Sequence, residues 1–344
     1  MHRRPDNPLT TGSLTRGLIR LAGPMFISAI LQNAQSLIDL FWVGRLGSES
    51  VAALAVSGSI LFLLWPLVMG MSVGTVALVS RHTGAGRTDL AAVAAGQSLV
   101  LSVAAGLAVG AAGLAGLGGL LRLMGPAPAV AGLAQNYLTV SFAGYATVFL
   151  LALSGSALQG AGQARLPMTA MILANLTNLA LDPVLIFGWF GCPALGVRGA
   201  AVATVLSQAT GCALLISALG RGVPGLRLDL GDLRLRAGMV WDLFRIGIFS
   251  AGQMLARSLM GFALFRIVAG CGTAALAGYG IGMRFHQVIL LPSFALGNAA
   301  AALVGQNLGA GRPDRAARGA WLAAGVGASI NLAAAAAMLV LAPP

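Results

Sequence analysis

The chain has 344 residues, of which 58% are hydrophobic and 9% charged, against roughly 25% charged in an ordinary soluble domain. A mean hydropathy of +0.87 excludes a water-soluble enzyme, and the net charge of +12 does not point to a nucleic-acid module. All 21 basic residues are arginines that punctuate long apolar runs instead of clustering on a polar domain, which is the pattern of an all-α polytopic protein of the lipid bilayer.

A membrane span needs about 20 mostly apolar residues. Nine runs meet that length, at 18–43, 51–80, 90–117, 135–159, 166–190, 199–219, 240–269, 273–304 and 318–341. The first is too long for a signal-peptide core and no Ala-x-Ala site follows it, so it reads as a retained helix. Pro24, Pro66 and Pro292 fall inside spans and are either hinges or static kinks. With the N-terminus inside, fifteen arginines fall on the cytoplasmic side, Arg3, Arg4, Arg16, Arg20 and Arg165 among them, and only Arg45, Arg122 and Arg198 fall outside. That bias predicts a multi-pass protein of the cell inner membrane with a cytoplasmic N-terminus. Residues 220–238 form the longest polar stretch and read as a cytoplasmic linker. The domain division is then 1–222, a first lobe of six spans; 223–238, the linker; and 239–344, a partial second lobe of three.

Residues 77–92 (ALVSRHTGAGRTDLAA) and 302–317 (ALVGQNLGAGRPDRAA) share ten of sixteen positions at an offset of 225. The same offset places Arg20 on Arg245, Gly47 on Gly272 and Ala52 on Ala277. Spans one to three therefore pair with seven to nine. An even offset of spans keeps both copies in one orientation, which implies a parallel repeat about an axis along the membrane normal, as in several transporters. Two units of 225 predict about 450 residues and twelve spans, of which nine are present.

Charges in hydrocarbon cost roughly 2.5–3.5 kcal/mol each on insertion scales, and only Asp39 and Asp182 of the nine acids lie within apolar runs. Gln32, Gln35, Ser36 and Asp39 recur at helical spacing and predict one polar stripe. Asn175 and Asn178 precede Asp182 on one helical face, and Pro183 follows it. Span directions place Asp39, Asp182, Thr204 and Gln208 in the outer half of the bilayer. Carboxylate, amide and hydroxyl oxygens suit a hard cation; two carboxylates in low dielectric also favour proton uptake; a bare hydrogen-bonded contact between helices is the third reading. Tyr137, Ser141 and Tyr145 repeat every four residues and line a cavity or pack the core. Arg257, Arg266, Arg284 and His286 lie within the later spans and could hold an anion, pair with a carboxylate or face water. The Gly-x-Gly of each GAGR turn lacks a preceding strand and a phosphate-loop lysine, so no nucleotide site is expected. Cys192, Cys212 and Cys271 lack metal-ligand spacing; Cys192 and Cys271, both external, could form a disulfide.

These motifs resemble the multidrug and toxic compound extrusion (MATE) family, closest to its DinF-like and archaeal-type branch. The resemblance rests on Pro24, Asp39, Gly44 and Gly47, on ALQGAGQARLPM at 157–168, NLTNLALDPVLIFG at 175–188, GVRGAAVATVLSQ at 196–208 and GQNLGAGR at 305–312. It implies a two-lobed helical bundle that exchanges sodium or protons for amphipathic, often cationic drugs, acting as a monomer without a resident cofactor. It also implies an ion or proton site at Asp39, Asn178, Asp182 and Thr204, which would serve as the ligands of a sodium ion. Gln32, Gln35, Tyr137, Tyr145, Gln208 and Arg284 are the candidates for the substrate cavity. The alternative is a lipid-linked oligosaccharide flippase of the same superfamily, with Arg257, Arg266 and Arg284 as its support. An intramembrane aspartyl protease is disfavoured, because LIDLF and LALDPV lack the sequence context of its catalytic aspartates.

Overall fold

A computed structural model of the chain describes residues 8–341, apart from some side chains beyond residue 261, Arg284 among them. Arg3 and Arg4, assigned above to the cytoplasmic side, lie outside the described residues. The elements in order are α1 (Pro8–Thr11), α2 (Leu14–Gly44), α3 (Ser48–Phe62), α4 (Trp65–Gly84), α5 (Thr88–Met124), α6 (Pro128–Ala143), α7 (Tyr145–Gly160), α8 (Arg165–Phe187), α9 (Val197–Arg221), α10 (Ala237–Ala269), α11 (Thr273–Gly309) and α12 (Pro313–Leu341). Seven helices are each long and apolar enough to cross a membrane, and two bent pairs, α3 with α4 and α6 with α7, make two more. All nine expected spans are present in this all-α structure.

Each bend has its own cause. At the first, Leu63, Leu64 and Leu67 each bond to the carbonyl three residues back. Pro66, which has no N–H to offer, opens α4 in its first turn. The pair bends by 44° there, so Pro66 marks a break between helices. At the second, a bend of 48° at Gly144, a side chain would overlap Val205 of α9. Opposite this bend, α5 presents Gly106, Gly110 and Gly113, whose missing side chains make room for Ala146 and Phe142. Lipid offers no hydrophobic drive between helices, so close backbone approach of this kind is what holds them. Pro24 and Pro292 sit inside unbroken α2 and α11.

The repeat is legible in the backbone. Ser48 to Gly84 and Thr273 to Gly309 begin and end 225 residues apart. The glycines that start them, Gly47 and Gly272, have φ of 109° and 101°, and the glycines of the two GAGR turns, Gly86 and Gly311, have 73° and 72°. These are left-handed values that glycine adopts without penalty. The copies also meet symmetrically. A methyl group on Gly84 would overlap the Gln306 carbonyl, one on Gly309 would overlap the Arg81 carbonyl, and Ser80 meets Gly305. At the offset the Gly84–Gln306 and Gly309–Arg81 pairings exchange and Ser80–Gly305 maps onto itself, so the pseudo-twofold axis passes between α4 and α11 at this level.

Packing between the two sets of helices concentrates toward the arginine-rich face. There Leu21, Met25 and Val76 form one buried cluster with Ala299, Leu303 and Ala323. Gly70 and Gly74 of α4 receive the backbone of α10 at Leu243 and Gly247. The N-terminal turn is fastened below this cluster. Asn307 donates to the Leu9 carbonyl (3.2 Å) and Arg312 to the Thr10 carbonyl (2.7 Å). Arg315 donates to the Gly12 carbonyl, and Gln306 to the Gly160 carbonyl (2.8 Å). At this face the two sets of helices are therefore packed together.

The linker is bound to the first six spans. Gln97 of α5 is fully buried; its amide donates to the carbonyls of Asp232 and Arg234 (both 2.8 Å), and its oxygen accepts from the Arg236 N–H (2.9 Å). The three cysteines are free, with Cys192 and Cys271 exposed, so the possible disulfide does not form.

Candidate ion site between α2, α8 and α9

α2 runs away from the arginine-rich face and carries Asp39 near its far end. α8 runs the same way and carries Asp182 five residues before its last, Phe187. α9 returns from the far face and carries Thr204 in its second turn. The three helices come close because small residues line their contacts: Gly199 has no side chain where the Leu185 carbonyl approaches, and Gly211 none where Leu151 and Ala170 do. Gly188, at φ 77°, ends α8 and returns the chain, and Leu195 N–H donates to the Leu185 carbonyl (2.9 Å). α8 runs through Pro183 without a break.

Four of the expected site residues converge. The Asp39 carboxyl has Asn178, Asp182 and Thr204 around it. The Thr204 hydroxyl is 3.4 Å from Asp39 Oδ2 and 2.9 Å from the Ala200 carbonyl. Asn178 Nδ2 donates to Asp182 Oδ1 (3.3 Å). Asp39 is 7% exposed, and Asn178 and Asp182 are fully buried. Asp39 Oδ1, Asn178 Oδ1 and Asp182 Oδ2 are buried with no hydrogen-bond donor among the described residues. All three are acceptors. Neither carboxylate has a basic partner: the ion pair found among the described residues is the exposed Arg227–Asp229. Two neighbouring carboxylates in low dielectric repel strongly, and unpaired buried acceptors are costly. A cation or proton relieves both.

The surrounding residues are less uniform. Gln35 is buried and its amide donates to Ser207 Oγ (3.2 Å), while Ser207 donates to the Thr204 carbonyl (2.8 Å). Ser207, one turn beyond Thr204, completes this network, and its spacing makes it findable in the sequence. Gln32 and Ser36 are exposed. The expected single stripe therefore splits, because Gln35 and Asp39 turn toward α8 and α9 and the other two turn away. Gln208 accepts from Thr147 Oγ1 (2.9 Å) across to α7. Tyr137 is buried beside Thr204 and Ser141 in a cluster with Val43, Ile186 and Val197. Tyr145 packs among Val68, Phe149 and Leu153, a core position instead of a cavity wall. Arg257, Arg266 and His286 are exposed on α10 and α11. The Arg284 side chain lies outside the described residues. Among those residues no three His, Cys, Asp or Glu side chains gather, so a bound cation would rely on the mixed oxygen set. Above the site, Trp42 packs edge-on against Phe187 and Trp189, and Arg45 caps Phe41 and Trp42 at 4.6 and 4.8 Å.

Nine spans, a parallel repeat and a buried carboxylate pair facing one side of a bundle define a multi-pass membrane protein of transporter architecture. The family described as MatE matches residues 24–184 and 250–344, and the chain belongs to it. It is 29% identical over 307 residues to the "Probable multidrug resistance protein YoeA" of Bacillus subtilis, covering 88% of this chain and 66% of that protein. It is 28% identical over 312 residues to a protein of Shewanella oneidensis named "FAD transporter", covering 90% and 68%. It is 31% identical over 328 residues to the "Probable multidrug resistance protein NorM" of Pseudomonas aeruginosa, covering 91% and 64%. The chain thus spans about two thirds of the length of these relatives. Among solved structures, the outward-facing conformation of a multidrug resistance MATE family transporter superposes with a TM-score of 0.88 at 26% identity, over 99% of this chain and 76% of that one. A MOP superfamily transporter from Pyrococcus furiosus gives 0.87 at 26% identity, over 99% and 75%.

Proposed function

We propose that this protein serves cation-coupled export of amphipathic organic compounds by alternating access, with Asp39, Asn178, Asp182 and Thr204 as its ion or proton site. The observation that carries this reading is the buried carboxylate pair with three unpaired acceptor oxygens and no basic partner. A sodium ion would be held by the two carboxylates, the Asn178 carbonyl and the Thr204 hydroxyl, and would supply positive charge alone. A proton would be held between Asp39 and Asp182. Occupancy of either kind removes the repulsion between the acids and lets α2 settle against α8 and α9. Ion and cargo favour different arrangements of α2, so each shifts the population away from the other. The arginine-rich face is taken as cytoplasmic from the positive-inside bias. On that assignment the packed face is the inner one, and cargo leaves outward.

The test is dye efflux from vesicles containing the protein, under an imposed proton gradient and, separately, a sodium gradient. Efflux driven by one gradient and abolished by Asp39→Asn supports the reading, and equal efflux by the variant refutes it. A second reading is an anionic, diphosphate-bearing cargo. It is favoured by Arg257 and Arg266, exposed on α10 with no carboxylate within 4.0 Å among the described residues, and by the relative named as an FAD transporter. A lipid-diphosphate flippase falls in the same class. Uptake of a diphosphate compound in place of a cationic dye would decide for it.

A further inference from the structure

A groove of about 650 Å³ lies at the arginine-rich end of α2, lined by Ser13, Thr15, Arg16, Ile19, Arg20, Pro24 and Arg165. We propose that this groove binds the headgroup of an anionic phospholipid of the adjoining leaflet.

Four features of the groove favour an anion. Arg16 and Arg20 stand one turn apart on α2, and Arg165 enters from the first residue of α8, so three guanidinium groups converge from two elements. None has a carboxylate within 4.0 Å among the described residues. The two helices also begin here, and the positive ends of their dipoles add to the field. Ser13 Oγ accepts the Arg16 N–H (3.5 Å), which leaves its own proton free to donate. Thr15, exposed in the same wall, offers a second hydroxyl.

A second set of features favours a lipid over a free phosphate ion. Ile19, inside the groove, is 65% exposed. Ile27, two turns beyond Arg20, is exposed, as are Ile172 and Leu176, two and three turns beyond Arg165 on α8. The cations thus sit at the foot of two apolar helix faces that rise into the bilayer. A phosphate with acyl chains matches both parts, whereas an inorganic ion matches only the lower one. Basic pockets between spans on the cytoplasmic side bind such headgroups, at about 1 kcal/mol, or roughly fivefold in affinity, per arginine. The inference does not depend on the transport reading.

The experiment uses the full chain purified in detergent and native mass spectrometry. Phosphatidylglycerol is compared with phosphatidylcholine of the same acyl chains, and with millimolar inorganic phosphate as a competitor. Selective retention of phosphatidylglycerol is expected. The triple variant Arg16→Gln, Arg20→Gln, Arg165→Gln should weaken it roughly a hundredfold, and each single variant about fivefold. A control triple at Arg221, Arg227 and Arg234, which removes equal charge from the same face, should change it less than about twofold. Equal weakening by both triples would show a diffuse leaflet effect and overturn the site. Displacement by inorganic phosphate would show a free-anion site and overturn the lipid assignment. If the triple fails to fold, Arg20→Gln and Arg165→Gln alone decide, and unchanged retention in both overturns the proposal.

Discussion

The two copies of the repeat agree in backbone and disagree in chemistry. Helix ends and left-handed glycines coincide between residues 47–86 and 272–311. At the same offset, Gln32, Gln35, Ser36 and Asp39 of α2 become Arg257, Met260, Gly261 and Leu264 of α10. Met260 and Leu264 are exposed, at 62% and 47%, whereas Gln35 and Asp39 are buried against α8 and α9. Duplication therefore preserves what packing requires: small residues where backbones cross and glycine where the chain turns. Buried polar groups are free to diverge, because each is costly in lipid unless local partners satisfy it. Within the stretch that both copies cover, the buried carboxylate belongs to the first copy alone among the described residues.

The largest expected effect tests that confinement. Asp39→Asn should abolish gradient-driven efflux, and adding Leu264→Asp at the equivalent position should not restore it, as measured by dye efflux from vesicles. Recovery would show the two sides to be interchangeable. Next in size is the shared packing. Gly84→Val and Gly309→Val each force a side chain into the opposite copy's backbone and should lower stability by about 3 kcal/mol. Gly252→Ala, with open space around it, should stay within about 0.5 kcal/mol of wild type in the same thermal unfolding series. Unequal losses at Gly84 and Gly309 would break the symmetry argument.

A smaller effect falls where only the first copy holds the linker. Gln97→Ala removes three hydrogen bonds and should cost about 2 kcal/mol, read as faster amide exchange across residues 229–236. Unchanged exchange would mean that the linker is held otherwise. Smallest is Thr204→Ala, which removes one hydroxyl from Asp39 and should cost about 1 kcal/mol in ion affinity, roughly fivefold, in a binding titration. No change would place Thr204 outside the coordination set.

Much of this was legible in the sequence, for physical reasons. Apolar runs show spans because lipid leaves the backbone few alternatives to a helix. The repeat shows because glycine turns tolerate few substitutes. Asp39, Asp182, Thr204 and Gln208 can be brought to one depth because span direction and helical rise fix position along the membrane normal, and Asn178 joins them through the family resemblance. Rotation about each helix axis is set by neighbours and is not written in spacing alone. That is why spacing groups Gln32 with Asp39 although Gln32 is exposed, and why it offers Tyr145 to a cavity although Tyr145 is buried among apolar side chains. The bend at Gly144 depends on contacts with α5 and α9 far along the chain, and no local window contains it. The fastening of Leu9, Thr10 and Gly12 by Asn307, Arg312 and Arg315 is likewise a long-range event.

The bonding of Gln97 to Asp232, Arg234 and Arg236 leaves the crossover with almost no slack. The joint before α10 is the single step from Arg236 to Ala237. A swing of α10 is therefore delivered as torque to α5, instead of being absorbed by a loose tether. A probe pair bridging Ala237 and α5 would register that swing as a strain gauge does, and a few glycines inserted after Arg236 would silence it.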